Sequence, residues 1–456
     1  MSARSGVGWM MVAVFALAVS TRAGAAASGD PVPGAELTLA SAIAIALARH
    51  PARLEEQSRV SAADERVGAA RSGYLPQLLA TAQYLRATDN GIGDTAYLAA
   101  PGIPRLPSNG RHDDSLSSTF DNYLAGVSAY QYLLDFGRQR GLVAQRNAEA
   151  DLERARLALV ELDLVYRVSK AYFDLVAAKE LVAVYETAVA QRSEHLHGAQ
   201  VKARAGLVSE IDAFTADSEL ARSQLNLVDA RNAAAIAKVA LDNAMGLGAD
   251  APDYRQAPPP APPPPAEDLP AYLARALHQR PDLRMLEDEA RAAGAEIAEY
   301  RSDRWPTLGA TAGYTVRGHD DAAANNFDLG VVMSWPLFNG FLTDHQIGEA
   351  RARQDAVRHG IEGLRQEIAL QVQRAYFERQ TSVQRIERAD RARAASAAEL
   401  DLATRRYEGG LGSILELADA QRRFTEDNAD VVRAHAAAAS AQAALARATA
   451  DPRPRS

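Results

Sequence analysis

Two very long stretches of the chain repeat apolar positions at alternating intervals of four and three. In the first, Leu164, Val168, Ala171, Leu175, Ala178, Val182, Tyr185 and Val189 fall on one stripe. That heptad spacing predicts a helix from just after Phe136-Gly137 to about Ala205, with small alanines on a seam that a partner helix can approach closely. In the second, Ile361, Leu364, Ile368, Val372 and Ala375 share a stripe within a helix predicted from about Leu342 to Gly409. About 67 residues at 1.5 Å each span ~100 Å. Helices of that length suit a coiled-coil rod or a barrel of helices, not an ordinary globular domain. Shorter helices are predicted over roughly Leu39 to Gly73, with Pro51 at a helix start.

Between the helical stretches the period drops to two. Leu78, Ala80, Ala82 and Tyr84 alternate with Gln77, Thr81 and Gln83, with Leu79 breaking the polar set. Tyr123, Ala125, Val127 and Ala129 share a face. So do Leu308, Ala310, Ala312, Tyr314 and Val316, and so do Leu329, Val331, Met333 and Trp335. Each segment approaches the roughly 9–11 residues that a tilted strand needs to cross a bilayer, and Tyr and Trp stand at the ends. Four strands cannot close a barrel, and open edges are not tolerated in lipid. If these strands span a membrane, the chain must share one barrel with copies of itself. The competing reading of the pattern is a pair of soluble hairpins with one face on a core.

The chain also repeats itself. At an offset of 230, His50-Pro51 falls on Arg280-Pro281, Leu75-Pro76 on Trp305-Pro306 and Tyr84 on Tyr314. The offset then falls to 203 for Leu134-Asp135-Phe136-Gly137 on Leu337-Phe338-Asn339-Gly340. It is 204 for Ala171-Tyr172-Phe173 on Ala375-Tyr376-Phe377 and for Gly206-Leu207 on Gly410-Leu411. The first half therefore carries 27 extra residues (230 − 203) between Tyr84 and Gly137. This excess, with Asn90-Gly91 and Pro101-Gly102-Ile103-Pro104, reads as a long surface loop. Residues 26–246 form the first repeat and 269–450 the second. A linker over 247–268, carrying the proline run Pro258 to Pro265, reads as an extended spacer. Residues 451–456 are a tail.

Composition and charge narrow the class. The 456 residues include no Cys, so there is no disulfide framework, thiolate metal site or catalytic thiol. Lys and Arg are mixed with a slight excess of Asp and Glu, for a net charge of −8, so no basic patch points to nucleic acid. Residues 1–25 read as a secretory signal peptide: Arg4, an apolar run from Trp9 to Val19, and a cleavage site at Ala23-Gly24-Ala25, with Ala25-Ala26-Ala27 as competitor. Its removal takes Arg4 and Arg22 away and shifts the charge from −8 to −10. No other run reaches the ~18 apolar residues of a membrane helix. No nucleotide-binding loop or His-Glu-x-x-His motif is present. His195-Leu196-His197 point about 200° apart on a helix, poor geometry for chelation. The reading is a non-enzyme without cofactor or metal.

The duplicated order of these motifs resembles the TolC-type outer membrane efflux protein family. The resemblance covers nearly the whole mature chain. It implies a mainly α protein with a membrane β-barrel: a homotrimer whose twelve-stranded barrel, four strands per chain, continues into a long periplasmic α-helical barrel. It implies a passive exit duct of a tripartite efflux pump or type I secretion system. Its partners would be a periplasmic adaptor protein, an inner-membrane transporter of RND, ABC or MFS type, and outer-membrane lipid. The extra loop would then face outside the cell.

The resemblance also implies site residues. The turns at Gly206, Leu207 and Val208, and at Gly410, Leu411 and Gly412, would contact the adaptor. Each Gly equally fits a left-handed helix cap. Asp212 and Tyr407 match positions of an iris that closes the tip. Glu416 and Asp419 match acidic positions lining the constriction. They share a helix face, and three copies would place six carboxylates around one axis. An ordinary solvated face is the alternative for them. The iris arginine is Gly412 here, with Arg405 and Arg406 nearby. A soluble periplasmic coiled-coil scaffold or adaptor is the alternative for the whole chain.

Overall fold

The computed structural model describes residues 36–88, 119–206, 208–248, 251, 254–257, 268–319 and 322–451. The signal peptide, the extra loop with Asn90 and Pro101, Leu207, the proline run Pro258 to Pro265 and residues 452–456 lie outside the described residues.

Each repeat starts with a helix pair. In the first, α1 (Leu39–Arg49) is started by a capping box between Thr38 and Ser41, and α2 (Pro51–Arg71) by Pro51 in its first turn with His50 as cap. Strands β2 (Gln77–Thr88) and β3 (Thr119–Leu134) follow, then α3 (Arg138–Arg204) and α4 (Glu210–Ala244). The second repeat runs α5 (Leu269–Gln279), α6 (Pro281–Ser302), β5 (Thr307–His319), β6 (Ala322–Ser334), α7 (Leu342–Glu408) and α8 (Ile414–Ala448). Both long helices have 67 residues and both return helices have 35, so the two hairpins are superposable in length. A short parallel pair, β1 (Glu36–Leu37) with β4 (Arg255–Gln256), joins the start of the described chain to the end of the first repeat.

The link from strand to long helix is a pair of left-handed residues: Phe136 and Gly137 in one repeat, Gly340 and Phe341 in the other. Helix and link keep the offset of 204, so the motif match at 203 aligns glycines that occupy opposite positions of the pair. Asp135 accepts from the backbone N–H of Gly137 and Gln139, satisfying donors at the start of α3.

The predicted seams form the core. Leu164, Val168 and Leu175 of α3 are buried against Ala42, Ile43 and Ala46 of α1, Leu241 of α4 and Tyr254. In the second repeat Ile368, Val372 and Ala375 of α7 are buried with Tyr272 and Ala276 of α5 and Leu445 of α8. Tyr172 seals the first cluster, its hydroxyl donating to the carbonyls of Leu37 and Ala257 at 3.1 and 2.8 Å.

The two hairpins of strands form one antiparallel sheet in the order β2-β3-β5-β6. Its register puts Leu78 opposite Ala129, Ala129 opposite Ala312 and Ala312 opposite Leu329, and likewise Ala80, Val127, Tyr314 and Phe327 in one row. Directly paired residues share a face. All four apolar sets therefore lie on one side, and no described residue covers it: Leu78 is 75% exposed and Leu329 74%. The other side is the more polar one: Gln83, Thr81, Gly126, Ser128, Thr311 and Thr315 stand there, among Leu79, Leu124, Tyr130 and Val332. An apolar outside over a more polar inside is the pattern of a lipid-facing barrel wall, the inverse of a soluble sheet on a core. Among the described residues, strands β2 and β6 end the sheet with unpaired edges. No described helix is long and apolar enough to cross a membrane.

Candidate channel wall and periplasmic tip

Far from the sheet, both helical hairpins turn over in five residues, 205–209 and 409–413. The turns are built alike. Gly206 and Gly410 both adopt φ +72°, a conformation that costs glycine nothing. In the second turn the N–H groups of Leu411 and Gly412 donate to the carbonyl of Arg406 at 2.8 and 2.9 Å, closing the end of α7. A side chain on Gly412 would meet the Arg406 Cβ at 3.0 Å and the Tyr407 nitrogen at 3.1 Å. The absence of an arginine there thus goes with a turn that folds tightly onto its own helix. Ser209 caps α4 by accepting from Ile211, and Ser413 caps α8 by accepting from Glu416.

Helix dipoles explain the charges that gather here. Each turn joins a helix C-terminus, which favours cations, to a helix N-terminus, which favours anions. Lys202 and Arg204 end α3, and Glu210 and Asp212 begin α4. Arg405 and Arg406 end α7, and Glu416 begins α8. Glu416 is exposed and paired with Arg406 at 3.1 Å. Asp419 is paired with Arg422 at 2.6 Å and Arg423 at 3.0 Å. The hydrogen bond from Arg422 holds the Asp419 carboxyl below the usual carboxylate range. Both acidic positions therefore carry their own counter-charges, which spacing alone did not show. Arg423 also reaches Glu399 at 2.9 Å, tying α8 to α7.

Tyr407 is half-buried beside Leu400, Ala403, Leu417 and Ala420. Its hydroxyl is enclosed, with no hydrogen-bond partner among the described residues, Asp212 included. Burial, and then the charge of Asp212, push its phenol up from the ordinary value. The ammonium of Lys202 lies 4.7 Å from the centre of its ring. Lys202, Asp212 and Tyr407 thus converge from α3, α4 and α7. Val208 is half-buried, and Leu411, in the middle of its turn, is exposed. Higher up, Arg192 is buried with its guanidinium near the Glu219 carbonyl at 3.5 Å. It lines a small crevice with His195, Thr215, Leu417 and Gln421. Lys202, the pairing of Arg406 with Glu416 and this crevice escaped the sequence reading. The offset of 204 carried a usable signal, since it places Lys202 on Arg406 and Asp212 on Glu416. Among the described residues, no group of three or more His, Asp or Glu is placed to hold a metal ion.

A membrane-type sheet with two open edges, continued by two helical hairpins of about 100 Å, defines one protomer of a shared-barrel outer-membrane duct. The chain belongs to the outer membrane efflux protein family, whose model matches residues 42–247 and 272–451. It is 28% identical to the protein CyaE of Bordetella pertussis over 399 residues, 85% of this chain and 78% of that one. It is 28% identical to the outer membrane protein OprJ of Pseudomonas aeruginosa over 323 residues, 67% of this chain and 65% of that one. The fold matches a crystal structure of CusC, a transmembrane channel, with a TM-score of 0.76 and 18% identity, over 93% of this chain and 98% of that one. The protein is an outer-membrane export channel with a large periplasmic portion: four strands of a trimeric twelve-stranded barrel, continued by a barrel of helices.

Proposed function

We propose that the trimer is the exit duct of a tripartite export machine, joined at its periplasmic end to an adaptor protein and through it to an inner-membrane transporter of RND, ABC or MFS type. The turns at Gly206–Val208 and Gly410–Gly412 are the adaptor contacts, and Asp212, Tyr407, Glu416 and Asp419 line or close the constriction. The duct is passive, and the inner-membrane transporter sets the cargo. One observation carries this reading above the soluble scaffold: the four apolar strand faces fall in register on one uncovered side of a sheet with two open edges. A soluble scaffold would bury that side.

Membrane fractionation with a pull-down from native membranes tests it. The folded protein should come from the outer-membrane fraction only with detergent, as a trimer carrying its adaptor. Leu411→Asp, which charges the exposed tip, should lose the adaptor and keep the trimer. A folded monomer in aqueous buffer would sink the duct reading, and adaptor retention by the Leu411→Asp variant would sink the assignment of the tip.

A further inference from the structure

The two repeats treat one pair of charges differently. Adding 204 to Lys202 gives Arg406, and adding it to Asp212 gives Glu416. In the second repeat this pair closes on itself: Arg406 reaches Glu416 at 3.1 Å and also points at the Leu411 carbonyl at 3.4 Å. In the first repeat the equivalent pair stays open. Among the described residues Lys202 forms no ion pair with Asp212. Its ammonium instead lies over the ring of Tyr407, 4.7 Å from the centroid, on the other hairpin. The contact has no mirror image, because the mate of Tyr407 is Ala203, which offers Arg406 no ring. The Tyr407 hydroxyl is enclosed within its own chain. What Tyr407 presents to Lys202 is therefore its π-face, which attracts a cation electrostatically.

We propose that Lys202 is a closing residue of the duct: its ammonium on the Tyr407 ring latches the α3–α4 hairpin to the α7–α8 hairpin at the periplasmic tip. This rests on the tip being the constriction. Any opening that swings α7 and α8 away from α3 must break the contact in each protomer. Arg406 is bound within its own hairpin, so it travels with α7 and α8 and does not resist.

Single-channel recordings on the purified trimer in planar bilayers test the latch. Lys202→Met keeps the length of the side chain and removes the charge. It should lower the closed-to-open ratio about two- to fivefold per protomer, the range expected for a partly exposed cation–π contact. Tyr407→Leu should do the same, and the double variant should add little to either single change. Lys202→Arg and Tyr407→Phe keep cation and ring, and each should open less than Lys202→Met and Tyr407→Leu do. The latch is overturned if Lys202→Met conducts as wild type, or if Tyr407→Phe opens as far as Tyr407→Leu, which would assign the effect to the hydroxyl. The double variant Glu416→Gln/Asp419→Asn separates the two levels. If it changes ion selectivity while Lys202→Met is silent, the tip is the constriction and the latch alone fails. If it and Lys202→Met both leave conduction unaltered, the constriction is elsewhere and both readings fail.

Discussion

The two helical hairpins have the same lengths, the same five-residue turn and the same left-handed glycine, yet their tips are held by different forces. The α7–α8 tip is self-contained. Leu417, Ala420 and Ala403 form a buried plug, Arg406–Glu416 crosses the turn, and Arg423–Glu399 stitches the helices above it. At the α3–α4 tip Ala199 and Ala216, the mates of Ala403 and Ala420, are buried too, but the mate of Leu417 is only Ala213, and Lys202 is turned toward the other hairpin. Duplication fixed the backbone, and side-chain divergence then made one tip a rigid unit and the other its counterpart. A moving part that keeps its internal contacts can shift as a body against a neighbour.

Truncating the plug should break this contrast most strongly. Leu417 is 1% exposed, so Leu417→Ala should destabilise the α7–α8 tip by about 2–4 kcal/mol. Ala213→Gly, at the matching position of the other tip, removes only a methyl and should cost about 1 kcal/mol. Hydrogen exchange of the two turns reads both, and equal protection losses would mean that the tips are not differently built. The next effect concerns the turn itself. Gly412→Val should cost about 1–3 kcal/mol by crowding Arg406 and Tyr407, as overpacking does. Its mate in the first repeat is already a valine, Val208, so Val208→Gly should be far milder. Trypsin nicking at the two turns would show the difference, and equal nicking would remove it. Arg406→Met should cost about 0.2–1 kcal/mol, and less at high salt, because its pair with Glu416 is half exposed.

The smallest effect is on pH. Burial holds the His195 imidazole below its usual 6.5, against the pull of Glu194 and Glu408 and with a push from Lys202. Arg192 of α3 and Glu219 of α4 line the same crevice, and α8 contributes Ile414, Leu417, Ala418 and Gln421. Between the lowered folded value and 6.5, the unfolded chain binds more protons than the folded one, so stability rises with pH across that window. Acidification below 6.5 should lower the melting temperature, and His195→Gln should flatten that fall. An unchanged slope in the variant would mean that His195 does not report on the packing of α3 and α4 against α8.

Much of this fold was legible because the sequence states it twice. The heptad stripes gave both long helices almost to the residue, since a seam of Leu164, Val168 and Leu175 has one consistent partner face. The strands were legible from their alternation, although only the register showed that the four apolar sets share a side. The β1–β4 pair was not legible. Two residues on each strand carry no pattern, and they meet across more than two hundred residues of chain. At the tip, Glu416 and Asp419 were found as acids, but their arginine partners were not. Mixed charges on a helix leave many pairings open, and rotamers choose among them. The Lys202–Tyr407 contact joins two hairpins, and no local spacing could announce it.

The assignment of the tip as the constriction is tested most directly by the reversal potential of the trimer in a salt gradient. The wild type should prefer cations only modestly, because Glu416 and Asp419 are countered by Arg406, Arg422 and Arg423. In Glu416→Gln/Asp419→Asn those arginines lose these partners in all three chains. The reversal potential should then move toward anion preference, and block by multivalent cations should weaken. A double variant that assembles as a trimer and keeps the wild-type reversal potential would contradict the assignment, leaving the two carboxylates on an ordinary solvated helix face.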